Sequence, residues 1–189
     1  MNLEWYLKNT NLAGKRIRHV LFVCKGNTCR SPAAEYEFKQ LTHWWESLKS
    51  SSRGTLKDAE DLPVASEMQK VIGNRMASFL TSHRSRLVSS GDVKKADLVL
   101  AVDTQTRNHL KGMFPAAIKK IFTVKEFTQR GGGDLNITNP WFPPEKRPKP
   151  GTRQYHDYIQ GYAATIESIR AEVRRVVDIL YALNEAAKK

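Results

Sequence analysis

The apolar positions of this chain fall into short β-rich runs that alternate with stretches of helical spacing. Ile17, Val20, Leu21, Phe22 and Val23 form a nearly continuous apolar run, the pattern of a strand covered on both faces. Helical spacing follows through Glu35, Phe38, Leu41 and Trp45, and at its head Ser31 suits an N-cap and Pro32 the first helical position. Next come a short segment near Leu48 to Ser52, a helix from about Pro63 to Leu80, a strand at Leu98 to Val102, a helix at about Thr104 to Met113, and a strand near Lys120 to Val124. The last element is the most regular: Tyr155, Tyr158, Ile159, Tyr162, Ile166, Ile169, Val173, Val176, Leu180 and Leu183 recur mostly three or four apart, with Arg170, Arg174 and Arg175 off the stripe. Such a stripe is the buried face of a long helix and carries no chemistry of its own.

The β-α alternation predicts an α/β domain with a parallel sheet of about four strands, helices on both faces in a Rossmann-type three-layer sandwich, and a site at the carboxyl ends of the strands. A chain of 189 residues, 40% hydrophobic, can bury one good core. Residues 1–16 precede the first strand as an N-terminal extension, and 17–189 form the domain. Within it, 143–153 read as an inserted proline-rich basic loop that is neither helix nor central strand and projects near the site. No window is apolar for long enough to span a membrane, and the stretch from Met1 to Arg16 lacks the hydrophobic core of a signal peptide. A cytoplasmic protein is expected.

Candidate chemistry concentrates where the first strand meets the first helix. Cys24 ends the strand and Arg30 stands beyond five intervening residues, Lys25, Gly26, Asn27, Thr28 and Cys29, with Ser31-Pro32 behind it. Strand, tight loop and helix N-terminus together make an anion-binding arrangement. Gly26 is expected to take backbone angles closed to other residues, so that consecutive N–H groups turn inward around phosphate oxygens. A cysteine facing a helix N-terminus and an arginine is nucleophilic as the thiolate. Arg30 can clamp two phosphate oxygens with its planar fork, and Ser31 can donate to the sulfur. Asn27 tolerates left-handed backbone angles and can brace the loop.

A bare pair of cysteine and arginine at this spacing arises often by chance. The whole string from Val23 to Pro32, however, resembles the active-site loop of the low-molecular-weight protein tyrosine phosphatase family. The resemblance extends over about residues 17–186. Ser52-Arg53-Gly54-Thr55 resembles a turn after the second strand, His83-Arg84-Ser85-Arg86 a basic segment after the second long helix, and Ala96 to Asp103 the third strand with its terminal aspartate. The resemblance implies a phosphatase-I-like fold, attack on phosphorus by Cys24, and loop support from Ser52, His83 and Asp103; each of those three also reads simply as a turn serine, a surface histidine or a helix-capping aspartate. It further implies that Cys24 and Cys29 pair reversibly under oxidation, although Cys29 packing under the loop explains it equally well.

Both cysteines of the chain lie in this loop, which argues against a disulfide-stapled secreted domain and against a zinc site built from cysteines. His19, His43, His83, His109 and His156 show no metal spacing. No metal or organic cofactor is implied. Arsenate reduction on such a fold requires further cysteines downstream for a disulfide relay, and the sequence has none.

One position departs from the family pattern. Where the resemblance implies an Asp-Pro pair supplying the general acid, the chain has Asn139-Pro140, followed by Trp141 and Phe142 as candidate walls of the substrate cleft. An amide donates a hydrogen bond but transfers no proton. Loss of a general acid costs on the order of 10²–10⁴ in rate for poor leaving groups. Three explanations stand: an introduced change that traps an intermediate; a natural residue whose place is taken by Asp134, beside Gly131-Gly132-Gly133, or by water; or a protein that binds phosphorylated targets without turning them over. The sequence favours a phosphocysteine-forming enzyme with a weakened acid step.

A phosphorylated protein is the expected partner, with phosphate or another oxyanion in the loop. Trp141 and Phe142 suit a phosphotyrosine ring. Thr28 occupies the position where family members acting on phosphoarginine are similar in having threonine, so phosphoarginine is the second choice. Lys25 at the rim favours acidic phosphopeptides. The net charge of +12, from 31 basic and 19 acidic residues, also fits nonspecific attraction to a polyanion. Its clusters at Arg84 and Arg86, Lys94-Lys95, Lys119-Lys120 and Lys146-Arg147 lack interleaved aromatics, so specific nucleic-acid binding is not expected.

Overall fold

In the computed structural model, which describes Tyr6, Thr10, Leu12 and residues 14–72, 77–128 and 133–188, four strands pair in parallel into one sheet. They are β1 (His19–Cys24), β2 (Lys49–Gly54), β3 (Leu98–Ala101) and β4 (Ile121–Thr123), in the spatial order β2-β1-β3-β4. The described helices are α1 (Arg30–Leu41), α2 (Ser66–Ile72), α3 (Ala77–Ser82), α4 (Ser90–Lys95), α5 (Thr104–Met113), α6 (Val124–Thr128) and α7 (Arg153–Ala186). Because successive strand residues point to opposite faces, Val20, Phe22 and Cys24 pack on one side of the sheet with α1, α2, α6 and α7, whereas Leu21 and Val23 pack on the other with Val93 and Ala96 around α4 and Leu110 of α5. This is the helix-covered parallel sheet predicted from the alternation. It also explains why β1 and β3 read as continuous apolar runs: both faces are buried.

The stripe of α7 is buried from Tyr158 through Leu183 against α1 and α2. Phe22 and Phe38 meet edge-on at 5.6 Å between ring centres, locking α1 to β1. Truncating either ring would cost about 3–5 kcal/mol.

Several expectations are corrected. Of the helix expected from Pro63 to Leu80, the described parts are α2, which starts at Ser66, and α3; positions 73–76 lie outside the described residues. Helix α1 begins at Arg30, so Cys29 is its N-cap, with no side-chain cap bond, and Ser31 and Pro32 fall inside the first turn. Helices α4 and α6 carry too few apolar positions to show in the periodicity; α4 is started by a capping box between Ser89 and Asp92. In the 1–16 extension, Tyr6 and Leu12 are buried in the main core, with the Tyr6 ring edge-on to Phe127 at 5.2 Å; positions 1–5, 7–9, 11 and 13 lie outside the described residues. The proline-rich loop at 143–153 does not project freely. It makes a 3-10 turn at Pro144–Lys146, and Arg147 folds back to the Phe142 carbonyl at 3.0 Å and to buried Glu67 at 3.3 Å.

Among the described residues, no helix is long and apolar enough to cross a membrane.

Candidate active site

Pairing of β1 with β2 sets Cys24 opposite Gly54 at the carboxyl edge of the sheet. The chain then turns through residues 25–29 and enters α1, whose first N–H groups have no intrahelical acceptor and face the loop. Backbone bonds fasten this turn from both sides: Thr55 N–H donates to the Lys25 carbonyl at 2.9 Å, Leu56 N–H to the same oxygen at 2.9 Å, and Ala65 N–H to Thr28 at 2.8 Å.

Two donors converge on the Cys24 sulfur. The Asn27 N–H lies 3.1 Å from Sγ, and the Ser31 hydroxyl lies 3.1 Å from it. The Ser31 oxygen is also 3.3 Å from the Arg53 carbonyl; its one hydrogen serves a single acceptor at a time, and the sulfur is nearer.

Asn27 is the hub of the loop. Its φ of 52° is left-handed, which asparagine tolerates better than most residues. Its amide nitrogen donates to Ser31 Oγ and Ser52 Oγ at 3.0 Å each, its Oδ1 accepts from the Arg86 N–H at 3.0 Å, and its carbonyl accepts from His83 Nε2 at 2.8 Å. Gly26 was expected to take the special backbone angles, but its φ is not left-handed and that role falls to Asn27. The glycine whose bareness the loop requires is Gly54. A Cβ there would stand 2.9 Å from the Lys25 carbonyl oxygen and 3.1 Å from Asn27 Cβ.

Ser52, His83 and Asp103 all reach the loop, the first two through Asn27 and the last through Arg30. Asp103 caps α5, accepting from the Thr106 N–H at 2.7 Å, and its other oxygen holds Arg30 Nη1 at 2.7 Å. Half-burial pushes the Asp103 carboxyl up, but the bonds from Thr106 and the charge of Arg30 outweigh it and hold the group below the usual carboxylate range. Arg30 Nη1 also donates to the Ile137 carbonyl at 3.1 Å, which leaves the Nε–Nη2 edge as a fork for two oxyanion oxygens. Burial, with the neighbouring Cys24 adding to it, pushes the Cys29 thiol up to about 12; Cys29 is a neutral, buried thiol in the core cluster. Burial lowers His83 from its ordinary value.

A cleft of about 370 Å³ lies over this loop, lined by Cys24, Lys25, Thr28, Arg30 and Asn139, with apolar walls from Leu56, Leu62 and Trp141. Asn139 and Trp141 are exposed. Phe142, by contrast, lines neither this cleft nor its neighbour; it stacks on Tyr158 at 5.4 Å, so a cleft wall expected at Phe142 is supplied by Leu56 and Leu62. Asp58 also lines the cleft. Those three residues were missed because they sit in an irregular segment after β2, with no periodicity to mark them. Asp134 lies elsewhere. It accepts from the Asn136 N–H at 3.0 Å and side-chain amide at 2.9 Å and pairs with Lys125 at 3.6 Å, and the bonds from Asn136, chiefly, hold its carboxyl low.

A parallel sheet that delivers a cysteine into an anion-cradling turn, with an arginine at the start of the next helix, is the architecture of a cysteine-based phosphatase. A family model described as "Low molecular weight phosphotyrosine protein phosphatase" matches residues 19–188, and the chain belongs to that family. Among individual relatives it is 30% identical over 118 residues to a protein-arginine-phosphatase of Bacillus subtilis, covering 61% of this chain and 76% of that protein. It is 30% identical over 134 residues to the low-molecular-weight protein-tyrosine phosphatase A of Mycobacterium tuberculosis, covering 66% and 76%. Among solved structures, the arginine phosphatase of Geobacillus stearothermophilus superposes with a TM-score of 0.70 at 25% identity, over 87% of this chain and 94% of that one. The low-molecular-weight protein tyrosine phosphatase of T. tengcongensis superposes with a TM-score of 0.67 at 29% identity, over 85% and 97%.

Proposed function

We propose that this protein hydrolyses phosphotyrosine in protein substrates through a phosphocysteine intermediate, with a weakened acid step. The observation that carries the proposal is the convergence of Asn27 N–H and Ser31 Oγ on Cys24 Sγ at 3.1 Å each, with Arg30 on the same loop. Phosphate oxygens sit among the loop N–H groups and the Arg30 fork while Sγ attacks phosphorus in line. The phosphorus–oxygen bond to the leaving group breaks, and its electron pair goes to the leaving oxygen. Water then attacks phosphorus, releases phosphate and returns the sulfur. Asn139 shares the cleft with Cys24 at the general-acid position but has no proton to give, so the departing oxygen takes its proton from water. Asp134, engaged by Asn136 and Lys125, is a poor replacement.

The apolar walls at Leu56, Leu62 and Trp141 suit an aromatic ring. The alternative substrate, phosphoarginine, is favoured by Thr28 and by Asp58, which line the same cleft; a carboxylate can pair with a guanidinium. The free, buried thiols of Cys24 and Cys29 accord with a reducing cytoplasm.

The test compares the protein with its Asn139→Asp and Cys24→Ser variants on aryl phosphates of graded leaving group and on phosphotyrosine and phosphoarginine peptides. Asn139→Asp should raise turnover of the poorest leaving group by about 10²-fold or more and of an activated one only a few-fold, and Cys24→Ser should abolish turnover. Equal gains across leaving groups would overturn the role of position 139. Tight binding of phosphopeptides with no turnover, even of an activated aryl phosphate, would overturn hydrolysis itself.

A further inference from the structure

A second chamber, also of about 370 Å³, adjoins the nucleophile cleft and shares Lys25, Arg30, Leu56 and Asn139 with it. Beyond that divide its walls are Thr55 and the exposed face of α5, including Gln105 and His109. Its volume lies at the small end of ligand-binding pockets, enough for a side chain or two but not for a folded partner. A polypeptide whose phosphorylated side chain enters the nucleophile cleft would therefore carry a neighbouring residue across Leu56 and Asn139 into this space.

The chamber is selective by charge. Lys25 contributes an ammonium, Gln105 an amide N–H and His109 an imidazole N–H, which exists in either protonation form. The carboxylate among its described lining residues is Asp103, whose charge is already matched by Arg30 at 2.7 Å while its other oxygen accepts from the Thr106 N–H at 2.7 Å. Among the described lining residues the Lys25 ammonium is thus the formal charge left without an opposite partner. A lysine or arginine of the substrate would be repelled by that charge, whereas a carboxylate would be drawn to it and could accept from Lys25, Gln105 and His109.

We propose that this chamber is a specificity subsite for an aspartate or glutamate side chain flanking the phosphorylated residue. It rests on the phosphoprotein phosphatase reading and extends it to the class of substrate sequence. Gln105 and His109 are exposed on α5 and take no part in the hydrogen bonds that hold Cys24 and Arg30, so they control selection without entering the chemistry.

The experiment measures kcat/KM for phosphopeptides carrying Glu, Ala or Lys at each position within two residues of the phosphorylated one, and for a small aryl phosphate, with the unaltered protein and with Gln105→Glu and His109→Glu. One placement of Glu should be preferred over Lys by roughly tenfold, about one good charge contact. Both variants should reduce that preference by about three- to tenfold and leave the aryl phosphate unchanged. Equal rates on Glu and Lys peptides, or a preference untouched by both variants, would overturn the subsite while the aryl phosphate is still turned over. No turnover of the aryl phosphate would instead overturn the phosphatase reading on which it rests.

Discussion

Arg30 Nη1 lies 2.7 Å from Oδ2 of Asp103, joining residues 73 apart in sequence, and the pair couples the nucleophile loop to the N-terminus of α5. The arginine is almost wholly buried, at 5% side-chain exposure, and that carboxylate is what neutralises its charge there. The same carboxylate starts the helix through Thr106. One side chain thereby ties the oxyanion fork to the far side of the sheet.

Asp103→Asn separates these roles, since asparagine still caps a helix but cannot neutralise Arg30. It should destabilise the protein by about 2–4 kcal/mol and weaken phosphate inhibition. Because the folded Asp103 carboxyl titrates below its unfolded value, its contribution is complete above the usual aspartate range near about 4 and is lost as pH falls through the folded value. Urea midpoints between neutral and acid pH should therefore fall less in the variant than in the unaltered protein, and parallel curves would refute the coupling.

Gly54→Ala should disturb the loop more than its exposure suggests. The added methyl meets backbone, the Lys25 carbonyl oxygen at 2.9 Å, which cannot step aside without moving the residue after Cys24. A loss of about 1–3 kcal/mol should accompany a fall in kcat on an activated aryl phosphate. Wild-type stability with full activity would show that the two segments are not in contact.

Asn27→Ala removes bonds to Ser31, Ser52 and Arg86 and leaves a left-handed alanine. At about 1 kcal/mol for each bond and for the backbone, roughly 3–4 kcal/mol should be lost. Thermal unfolding checks the stability, and alkylation of Cys24 by iodoacetate reports the disordered loop.

His83 makes the loop sensitive to mild acid. Burial, first, lowers it from its ordinary value, with Arg53 and Arg84 acting in the same direction and the Asn27 carbonyl and Glu35 opposing. The unfolded chain therefore binds the proton more readily. The stability His83 contributes is complete above about pH 6.5 and is lost as pH falls through its lower folded value. His83→Gln, which keeps a donor for Asn27 without titrating, should flatten part of the decline in melting temperature between about pH 7 and 5. His19, also lowered by burial, accounts for a remaining slope; an unchanged slope in the variant would rule His83 out.

Arg147→Ala should destabilise the fold by about 1–3 kcal/mol, because Glu67, with 8% side-chain exposure, loses its partner at 3.3 Å. Pairing it with Glu67→Gln should restore part of that loss. Additive costs in the double-mutant cycle would show that the proline-rich loop is not held by this pair.

Much of the molecule follows from the chain alone. The apolar runs of β1 and β3 and the stripe of α7 are local patterns forced by burial on two faces or one. The loop from Cys24 to Arg30 is likewise local, because the residues that cradle an oxyanion are contiguous and their chemistry is carried by residue type. Only the tertiary structure could show that Gly54 rather than Gly26 is the glycine the loop cannot replace, since the clash arises between β2 and the loop across the sheet. The same holds for Asn27 binding Ser52, His83 and Arg86, for Phe142 turning away onto Tyr158, and for Asp134 being claimed by Asn136 and Lys125. Each is a contact between segments distant in sequence or set by a loop's path, and neither periodicity nor composition records which partners the chain will bring together.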